Sequence, residues 1–496
     1  MTDIDTHPSQ TSFLEVSDIV ERAVIAAPAW REFEPSARAA MLRAVADRLD
    51  PSADELVLLA MSETHLGEAR LRGELARTTF QLRFLAGVIE EGDQLQACID
   101  KPDASWPPGA RPDLRRWLRP IGPVAVFAAS NFPFAFSVAG GDSASALAAG
   151  CPVVVKAHPG HRRLSTRCAE LVVRALHDAG APEGTFALVE GDEAGRRLVT
   201  HPNIAAVAFT GSSRVGRMLF DLAVGRVKPI PFYGELGSVN PVFVTRGAAT
   251  GRLEEILSGY VASFSLGAGQ FCTQPGILLL PQGALDRQRL RSLVAAQAPA
   301  QLLNDRIDAA YQEGLEALRI RPSIEVIAAG SRHPDGTTTP TLLRTTAEEL
   351  VADAEHLLAE CFGPVSLVAE YEEEDELIAV AHAIEGQLTA TVHGESDEAV
   401  VPLLIDTLAE KTGRVIWNGW PTGVSVTWAM QHGGPYPATT SPLHTSVGAA
   451  AIGRFLRPVA YQDVPDHLLP AGLRDANPLG LARRVDGQHV RGTSSS

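Results

Sequence analysis

The sequence predicts an α/β fold with two lobes, each a doubly wound parallel β-sheet covered by helices on both faces. Short apolar runs rich in valine alternate with helical segments over residues 121–235, and a second alternation follows over about 241–423. Continuous apolar strands separated by helices are typical of parallel sheets that are buried on both faces. The length of 496 residues allows two such lobes and a smaller third part, since a domain averages roughly 150 residues.

The chain begins with a helical region and then enters the first lobe. Over about residues 17–90 the apolar residues recur at helical spacing, as in 37–49 and 53–61, which predicts amphipathic helices. In the first lobe we predict strands at 124–129, 152–156, 185–189, 204–209 and 230–235, and helices at 163–179 and 213–224.

The second lobe repeats this pattern. We predict strands at 276–280, 365–369, 388–392 and 415–418, and helices at 253–265, 309–318 and 374–384. After Gly423 the chain is rich in proline and glycine. An apolar run at 450–459 predicts a strand that returns to the first lobe or reaches a neighbouring subunit.

Composition and charge exclude several classes of protein. Hydrophobic residues make up 45% and charged residues 21% of the chain, which excludes extensive disorder. The net charge of −16 disfavours nucleic acid as a partner. Five cysteines without a Cys-x-x-Cys pair indicate neither a disulfide framework nor a structural zinc site. We therefore expect no metal and a reducing, cytoplasmic location.

Two stretches bear on targeting. The N-terminus, Met1-Thr-Asp-Ile-Asp, is acidic and lacks an apolar core, so we expect no signal peptide. The uncharged stretch 121–141 is long enough to span a bilayer, but it contains Pro123, Asn131 and Pro133. A spanning helix could not satisfy its backbone there, so we interpret the stretch as buried core and expect no membrane association.

Cys272 is the first candidate for chemistry. It ends the segment Leu266-Gly-Ala-Gly-Gln-Phe-Cys272, and residues 258–285 include no Asp, Glu, Lys, Arg or His. The glycines allow backbone and ligand to approach closely, and backbone N–H groups could then stabilise an anion beside the thiol. Taken alone, the thiol could instead be a small packed hydrophobe, which is the commoner role of a cysteine.

The other cysteines supply a comparison. Cys98 lies in an acidic loop, Cys151 opens an apolar strand and Cys168 lies within a helix, and all three settings indicate structural roles. Cys361, in Glu360-Cys-Phe-Gly-Pro364, is the rival nucleophile. The adjacent carboxylate disfavours its thiolate, because like charges repel.

Two polar residues at the ends of predicted strands could assist a nucleophile. Glu235 ends an apolar run that has no other charge nearby, and withdrawal from water would raise its pKa and suit it to act as a general base. The alternative is a solvated strand-end glutamate. Asn131 follows the strand at 124–129, where its amide could donate to an oxyanion or could simply serve a turn.

A strand-to-helix turn could bind a dinucleotide. Phe209-Thr-Gly-Ser-Ser-Arg-Val-Gly216 places Gly211 and Gly216 across this turn, where glycines and a helix N-terminus can accept a pyrophosphate. The spacing differs from Gly-x-Gly-x-x-Gly, so the pair is weak evidence by itself. Lys156 ends the strand at 152–156 and could reach a ribose or a phosphate, or could be an ordinary strand-end cation.

Seven motifs follow one another along the chain. They are Ser130-Asn131-Phe-Pro133, Val154-Val-Lys156, Phe209-Thr-Gly-Ser212, Glu235-Leu-Gly237, Gly269-Gln-Phe-Cys272, Glu360-Cys-Phe-Gly-Pro-Val365 and Asn418-Gly-Trp-Pro-Thr-Gly423. In this order they resemble the aldehyde dehydrogenase superfamily, over roughly residues 13–465. Agreement of all seven in order is not expected by chance, and it favours the chemical interpretation of Cys272, Glu235 and Asn131.

The resemblance implies an aldehyde dehydrogenase-like fold with a small β oligomerisation extension. The implied divisions are a cofactor-binding domain (1–107 and 122–235, with the N-terminal helices), a catalytic domain (236–430), the extension (108–121 and 431–470) and a C-terminal tail (471–496). Such an extension pairs with another subunit, so we expect a homodimer or homotetramer.

The resemblance also implies roles for single residues. Cys272 would be the nucleophile, Asn131 and the Cys272 backbone amide would bind the oxyanion, and Glu235 would be the base. Lys156 would contact the adenosine ribose, Ser212 the pyrophosphate and Glu360 the nicotinamide ribose. The full set of implied cofactor-binding residues is Lys156, Gly211, Ser212, Gly216, Glu360 and Phe362, joined by Arg214.

One departure from the common family pattern bears on the cofactor. Many NAD-preferring members carry a glutamate three residues after the strand-end lysine, and here that position is Pro159. No carboxylate there would repel a 2′-phosphate, and Arg214 could pair with one. We therefore expect NADP to be accepted and preferred, with NAD as the alternative. Ser238 stands where many members have glycine, and the sequence does not explain it.

Four segments indicate a branch of the family. They are Phe127-Ala-Ala-Ser-Asn-Phe-Pro-Phe-Ala-Phe136, Lys156-Ala-His-Pro-Gly-His161, Pro229-Ile-Pro-Phe-Tyr-Gly-Glu235 and Gln431-His-Gly-Gly-Pro-Tyr-Pro437. They are similar to α-ketoglutaric semialdehyde (2,5-dioxovalerate) dehydrogenases and a bacterial fatty aldehyde dehydrogenase. The resemblance implies NAD(P)-dependent oxidation of 2,5-dioxovalerate to 2-oxoglutarate through a cysteine thiohemiacetal and thioester. The alternatives are a fatty or aromatic aldehyde dehydrogenase, a nucleotide-binding protein without turnover, and a cofactor-independent thiol hydrolase.

Overall fold

The computed structural model describes residues 10–490 and shows three larger β-sheets with helices packed around two of them. The helices are α1 (Phe13–Glu32), α2 (Pro35–Leu49), α3 (Ala53–Thr64), α4 (Glu68–Glu91), α5 (Gly141–Ala149), α6 (Arg162–Asp178), α7 (Asp192–Thr200), α8 (Ser213–Val224), α9 (Arg246–Ser265), α10 (Arg287–Ala295), α11 (Asp305–Arg319), α12 (Ala347–Ala352), α13 (Ala354–Leu357), α14 (Asp375–Ala383) and α15 (Val400–Lys411).

The strands are short, as expected for parallel sheets joined by helices. They are β1 (Cys98–Asp100), β2 (Leu114–Pro120), β3 (Val124–Phe127), β4 (Val153–Lys156), β5 (Phe186–Val189), β6 (Ala206–Thr210), β7 (Phe232–Glu235), β8 (Val242–Val244), β9 (Ile277–Pro281), β10 (Ala300–Gln301), β11 (Glu325–Ala328), β12 (Thr337–Thr338), β13 (Thr341–Thr346), β14 (Val365–Tyr371), β15 (Gln387–His393), β16 (Thr412–Trp417), β17 (Leu456–Gln462), β18 (Arg483–Val485) and β19 (Gln488–Val490).

The first lobe is a five-stranded parallel sheet in the order β5-β4-β3-β6-β7. Its strands β3 and β4 are entirely buried, which explains their unbroken apolar sequences. The chain leaves β3 toward β4 and later returns to β6 on the other side. That reversal opens a crevice at the carboxyl edge of the sheet, the position where α/β proteins bind ligands.

The second lobe is a seven-stranded sheet in the order β11-β13-β14-β9-β8-β15-β16, and all its pairs are parallel except β11 with β13. Cys272 precedes β9 and Glu360 precedes β14, so both lie at the amino edge of this sheet. Glu235 ends β7 at the carboxyl edge of the first sheet. The two edges face each other, because their residues meet in one hydrogen-bonded cluster.

A third sheet has the order β17-β2-β1-β18-β19. Strands β18 and β19 come from the segment 471–496 that we separated as a tail, and β18 pairs with β1 in parallel. The strand predicted at 450–459 is wrong in its first half. The segment Ala449–Phe455 forms buried helical turns and the strand is Leu456–Gln462. An apolar run does not by itself distinguish a buried turn of helix from a buried strand.

The other predicted elements are confirmed to within a few residues, although α9 and α11 begin earlier than predicted. The helix predicted at 213–224 has these bounds, and the amphipathic N-terminal region forms α1 to α4. The uncharged stretch 121–141 is strand and loop, and most of it is buried. Within residues 10–490, no helix combines the length and apolarity needed to cross a membrane.

Candidate active site

A left-handed stretch of backbone positions Cys272. Gly267, Ala268 and Gly269 have φ angles of +58°, +55° and +66°. These values suit glycine, and Ala268 is a strained exception. A side chain on Gly269 would collide with the carbonyl oxygen of Gly363. The glycines therefore allow the loop before Cys272 to pack directly against the loop that carries Glu360.

Buried amide side chains lock these loops together. Gln274 Nε2 donates to the carbonyl oxygens of Gly363 and Val365, both at 2.9 Å. Asn240 Nδ2 donates to the carbonyl oxygen of Cys272 at 2.9 Å. The Cys272 main chain is thus fixed on both sides. Because this main chain is already fixed, its groups can donate hydrogen bonds to the reacting atoms without a rearrangement of the loop.

Ser238, which the sequence left unexplained, belongs to this support. Its hydroxyl lies 2.8 Å from Asn240 Oδ1 and 2.9 Å from Gln387 Oε1, and it accepts from the Leu388 N–H at 3.0 Å. The residue is buried. Its hydroxyl holds Asn240, and Asn240 in turn holds the Cys272 carbonyl.

Three side chains from distant parts of the chain form the centre of the site. His432 Nε2 lies 2.9 Å from Glu235 Oε1 and 3.6 Å from Cys272 Sγ. Ser446 donates to Glu235 Oε2 at 2.7 Å. Glu235 and His432 are buried, while Cys272 is half-buried at the mouth of the cleft. The cluster can therefore pass a proton between a thiol, an imidazole and a carboxylate while a substrate approaches the sulfur.

The pKa of Glu235 differs from the sequence prediction. Burial acts to raise this pKa, as predicted, but the charge and hydrogen bond of His432 and the hydrogen bonds of Ser446 and Cys272 outweigh burial. The net pKa is lowered, so the prediction of a raised value is wrong. The physical reason is the set of donors from residues 432 and 446, which no local pattern around residue 235 could indicate. Glu235 is ionised at neutral pH and able to accept a proton.

The thiol of Cys272 has the opposite tendency. Burial raises its pKa well above the usual value, and the neighbouring charges of Glu235 and Glu360 raise it further, while Arg77 opposes them. The resting sulfur is therefore a protonated thiol at neutral pH. A base must remove its proton before attack, because the thiolate is the nucleophile.

Asn131 faces the same cleft. Its Nδ2 donates to the carbonyl oxygen of Gln270 at 3.1 Å, two residues before Cys272. An amide nitrogen carries two hydrogens, so one remains for an oxyanion. Arg70 fixes the Asn131 backbone by donating from Nη2 to its carbonyl oxygen at 2.7 Å.

Glu360 and the start of α8 lie near each other, because both have atoms close to Gly237, and we call the space beside them the cofactor groove. Glu360 is exposed to solvent but lies in a cleft, where the surrounding protein raises its pKa to about 7. A side chain on Gly237 would come within 2.6 Å of its Oε2. Phe362 is half-buried just beyond it. The carboxylate is free at its surface to accept the hydroxyls of a ribose.

The glycine turn lies farther along the groove. Gly211, Ser212 and Arg214 are exposed at the N-terminus of α8, which has the partial positive charge that suits a phosphate. A side chain on Gly216 would collide with Leu236, so this glycine allows α8 to pack near the end of β7.

Lys156, at the end of β4, already has a partner. Its Nζ lies 3.0 Å from Asp192 Oδ1, and the hydrogen bond from Lys156 lowers the pKa of that carboxyl. Pro159 begins the turn that follows. The lysine lies at the carboxyl edge of the sheet, and its contact with an adenosine ribose stays a prediction.

The remaining cysteines differ from Cys272 in their surroundings. Burial raises the pKa of Cys151 to about 11 and that of Cys168 to about 12. The rival Cys361 also has a pKa raised to about 12, by burial and by the charge of Glu360. In the described part of the chain, Cys272 is the cysteine grouped with a carboxylate and an imidazole.

The same three donors could in principle share a metal ion. The ligand atoms of Glu235, Cys272 and His432 lie within 4.8 Å of one another. They are already linked by the Glu235–His432 hydrogen bond, which an ion would have to displace. Our expectation of no metal stays a prediction.

Sequence reasoning missed His432 and Ser446. The segment around His432 entered only as a branch motif, with no role for the histidine. Its chemical meaning depends on a contact with Glu235, 197 residues away, which periodicity does not reveal. One feature of the sequence could have indicated a role for His432. It lies among glycines and prolines, where a buried structural histidine is less expected than in a helix or strand.

Comparison with known proteins decides the family. The model of the aldehyde dehydrogenase family matches residues 4–436, most of the chain. The chain belongs to the aldehyde dehydrogenase family. It is 44% identical over 483 residues to a protein named alpha-ketoglutaric semialdehyde dehydrogenase 2 from Azospirillum brasilense, covering 96% of this chain and 91% of that one. It is 41% identical over 485 residues to alpha-ketoglutaric semialdehyde dehydrogenase from Acinetobacter baylyi, covering 97% and 92%.

Solved structures agree with this aldehyde dehydrogenase fold. An NAD-dependent aldehyde dehydrogenase from Sinorhizobium meliloti superposes with a TM-score of 0.77 at 25% identity, over 92% of this chain and 88% of that one. An NADP-dependent enzyme of E. coli superposes with a TM-score of 0.76 at 25% identity, over 90% of both chains. The protein is an NAD(P)-dependent aldehyde dehydrogenase, and its predicted fold class is confirmed.

Proposed function

We propose that this aldehyde dehydrogenase oxidises 2,5-dioxovalerate to 2-oxoglutarate through a thiohemiacetal and a thioester on Cys272. The observation that carries the mechanism is the cluster in which His432 Nε2 lies 2.9 Å from Glu235 and 3.6 Å from the Cys272 sulfur. The choice of aldehyde is supported by the names of the two relatives that match over nearly the whole chain.

The first step is removal of the thiol proton. The pKa of Cys272 is raised and that of Glu235 is lowered, so the thiol does not ionise unaided at rest. Glu235 accepts the proton as the sulfur attacks, and His432 beside it stabilises the charge on the carboxylate. Such acid and base assistance typically contributes about 10² to 10⁴ in rate.

The second step is stabilisation of the oxyanion. Attack of the sulfur on the aldehyde carbon moves an electron pair onto the carbonyl oxygen. The free hydrogen of the Asn131 amide and the backbone N–H of Cys272 are the donors that we assign to it. A preorganised donor of this kind is worth about 10² to 10³ in rate.

The cofactor residues fit a dinucleotide that lies across the carboxyl edge of the first sheet. When bound, NADP or NAD accepts the hydride that leaves the thiohemiacetal carbon. Glu360 would hold the nicotinamide ribose, the start of α8 would hold the pyrophosphate, and Lys156 would hold the adenosine ribose. Because Pro159 replaces an acidic residue and Arg214 is exposed nearby, we propose a preference for NADP.

The last step is hydrolysis of the thioester. Glu235 first releases to solvent the proton that it took from the thiol. The ionised carboxylate, held by two donors, then accepts a proton from the water that attacks the acyl carbon. The thiolate leaves as the bond between the acyl carbon and the sulfur breaks, and it takes a proton from the cluster. One aldehyde, one water and one oxidised cofactor give one carboxylate, one reduced cofactor and two protons.

We also propose that the enzyme works as a homodimer or homotetramer in the cytoplasm. All five cysteines are free thiols, as a reducing compartment favours. Strand β17 lies at the edge of the third sheet and most of its residues are exposed or half-buried. An edge of this kind can be covered by a second copy of the chain.

The test is a spectrophotometric assay of reduced cofactor with 2,5-dioxovalerate, hexanal and benzaldehyde, each with NADP and with NAD. We expect the highest kcat/KM with 2,5-dioxovalerate and loss of oxidation in Cys272→Ala. Preference for hexanal or benzaldehyde would favour the fatty or aromatic alternative. Cofactor binding without oxidation of any aldehyde would favour a binding protein. Ester cleavage without cofactor and without aldehyde oxidation would favour a hydrolase.

A further inference from the structure

Arg77 brings a positive charge to the cleft of Cys272. It projects from α4, and its guanidinium carbon lies 5.1 Å from the centroid of the Phe136 ring. The same ring lies 6.2 Å from the imidazole of His432, centroid to centroid. Burial lowers the pKa of Arg77, and the neighbouring groups that oppose this effect are Glu74, Cys272 and Glu235. The arginine is therefore close enough to the reacting groups to interact with them electrostatically.

The guanidinium of Arg77 has two donors that lack a hydrogen-bond partner in the described structure. Its Nε and Nη2 are buried and have no hydrogen-bond partner among residues 10–490. The carboxylate one turn earlier, Glu74, uses Oε1 to accept from the backbone N–H groups of Phe134 at 2.7 Å and Ala135 at 2.9 Å. Burial raises the pKa of Glu74 to about 7, so its charge is only partly developed at neutral pH. A buried cation without a full counterion is costly unless a ligand supplies one.

Two further arginines border the cleft, and each has only part of its guanidinium engaged. Arg70 donates to the Asn131 carbonyl oxygen at 2.7 Å. Arg414 donates to the carbonyl oxygens of Pro421 at 2.9 Å and Gly423 at 3.2 Å. In the described chain, Arg70 keeps Nε and Nη1 without a partner, and Arg414 keeps Nε. Among these three arginines only Arg77 keeps both Nε and Nη2 there, the two donors on one edge of the guanidinium that can bind both oxygens of a carboxylate.

We propose that Arg77 binds the carboxylate at the far end of the substrate and selects aldehydes that carry such a group. This inference rests on the proposed function and names the residue behind its substrate preference. Adjacent Nε and Nη2 donors can hold both oxygens of one carboxylate, a geometry that a lysine cannot reproduce. In 2,5-dioxovalerate the carboxylate and the aldehyde lie at opposite ends of a five-carbon chain, so we assign the carboxylate to Arg77 and the aldehyde carbon to Cys272.

An uncharged aldehyde leaves the guanidinium without a partner. A site that is built to hydrogen-bond a polar group discriminates against an analogue that lacks the group, because the buried donors stay unpaired. The aromatic wall of the cleft would accept either chain. Selection between a carboxy-aldehyde and a fatty aldehyde is therefore assigned to charge and not to shape.

The test compares kcat/KM for 2,5-dioxovalerate with that for pentanal, which has the same number of carbons and no carboxylate. In Arg77→Met we expect the ratio of the two values to fall by about tenfold to a hundredfold, the range for a hydrogen bond to a charged group. Arg77→Lys should recover part of the ratio. Arg77→Met should also react more slowly with pentanal, because it removes the charge that lowers the pKa of Cys272, whereas Arg77→Lys keeps that charge.

Arg72→Met is the matched control. Arg72 lies on the same helix, exposed, and pairs with Asp54 and Glu68. We expect its ratio to equal that of the wild type. A binding measurement without turnover adds a second readout, because glutarate should inhibit the wild type competitively and Arg77→Met only at about tenfold or higher concentration.

The outcomes separate the two proposals. A wild type that does not oxidise 2,5-dioxovalerate overturns the proposed function. A wild type that oxidises it, together with an Arg77→Met or Arg77→Lys enzyme of unchanged preference and unchanged glutarate inhibition, overturns only the role of Arg77. A reduced ratio and weakened glutarate binding support the inference.

Discussion

The two ends of the cofactor groove are built differently. At the reacting end, Glu235 and His432 are buried, hydrogen-bonded and packed beside Cys272. At the adenosine end, Ser212 and Arg214 are exposed, and Lys156 makes one ion pair with a largely exposed aspartate. At the reacting end the side chains are held in place by hydrogen bonds before any ligand binds. At the adenosine end most of these side chains are exposed to solvent, and among the described residues they do not contact one another in a cluster.

From this difference we predict which single substitutions change the kinetic constants most. Buried charges interact strongly because little water screens them, whereas exposed charges contribute little each. Changes at the reacting end should therefore alter kcat by large factors. Changes at the adenosine end should mainly alter the KM for the cofactor and the choice between NADP and NAD.

The largest effect is expected for Glu235→Gln. Loss of the base should lower kcat by about 10² to 10⁴. The charge of Glu235 raises the pKa of Cys272, so its removal should lower that pKa and speed alkylation of the thiol by iodoacetamide at pH 8. Steady-state assays and alkylation rates measure the two effects. An exposed control, Glu255→Gln, should change neither, and slower alkylation in Glu235→Gln would contradict our account of the thiol.

His432→Gln should have the next largest effect. Without the histidine, its charge and its hydrogen bond no longer lower the pKa of Glu235, so this pKa rises. The carboxylate is then protonated over a wider acidic range, so the acid limb of the pH profile of kcat should move to higher pH. We expect kcat at pH 7 to fall by about tenfold to a hundredfold, as for loss of a hydrogen bond to a charged group. An unshifted acid limb would show that His432 does not stabilise the ionised form.

Pro159→Glu should act only on cofactor choice. A carboxylate at this position would repel a 2′-phosphate, so the NADP to NAD ratio of kcat/KM should fall by about tenfold, near the 1 to 2 kcal/mol of a partly screened like-charge pair. The kcat at saturating cofactor should stay within about twofold of wild type, because a uniform binding contact affects KM and not kcat. Measurement of both cofactors with one aldehyde tests this, and an unchanged ratio would remove Pro159 from the specificity site.

The smallest effect is expected for Arg214→Met. The side chain is exposed, so its pairing with a phosphate is screened and worth about 1 kcal/mol or less. The KM for NADP should rise by no more than about fivefold, and the KM for NAD should not change. Arg217→Met, on the same helix and paired with Asp221, serves as the control. A loss comparable to that of Glu235→Gln would invalidate the comparison between the two ends.

Local sequence patterns predicted much of the scaffold. The apolar runs gave β3, β4 and β14, and the amphipathic spacing gave α8 with its observed bounds. These elements depend on neighbours in sequence, since burial on both faces demands apolar residues throughout a strand. The run at 450–459 failed, because a helical turn packed in the core needs the same residues as a strand.

The reacting groups were found only in part. Cys272, Glu235 and Asn131 stand in recognisable motifs, and the structure brings the first two into one cluster. The sequence around His432 and Arg77 contains no pattern from which we inferred a chemical role for either residue. Arg77 lies on an amphipathic helix, where an arginine is expected to face water, but α4 packs against the loop after β3 and Arg77 lies over the Phe136 ring there.

Residue types at fixed spacing in the sequence establish most of the helices and strands and the family, and they predict Cys272 as the nucleophile. The ionisation of Cys272 and Glu235, and the presence of His432 and Arg77 near them, follow only from the tertiary structure. Electrostatic interactions depend on distance through space, and residues that are far apart in the chain become neighbours only when the two sheets face each other.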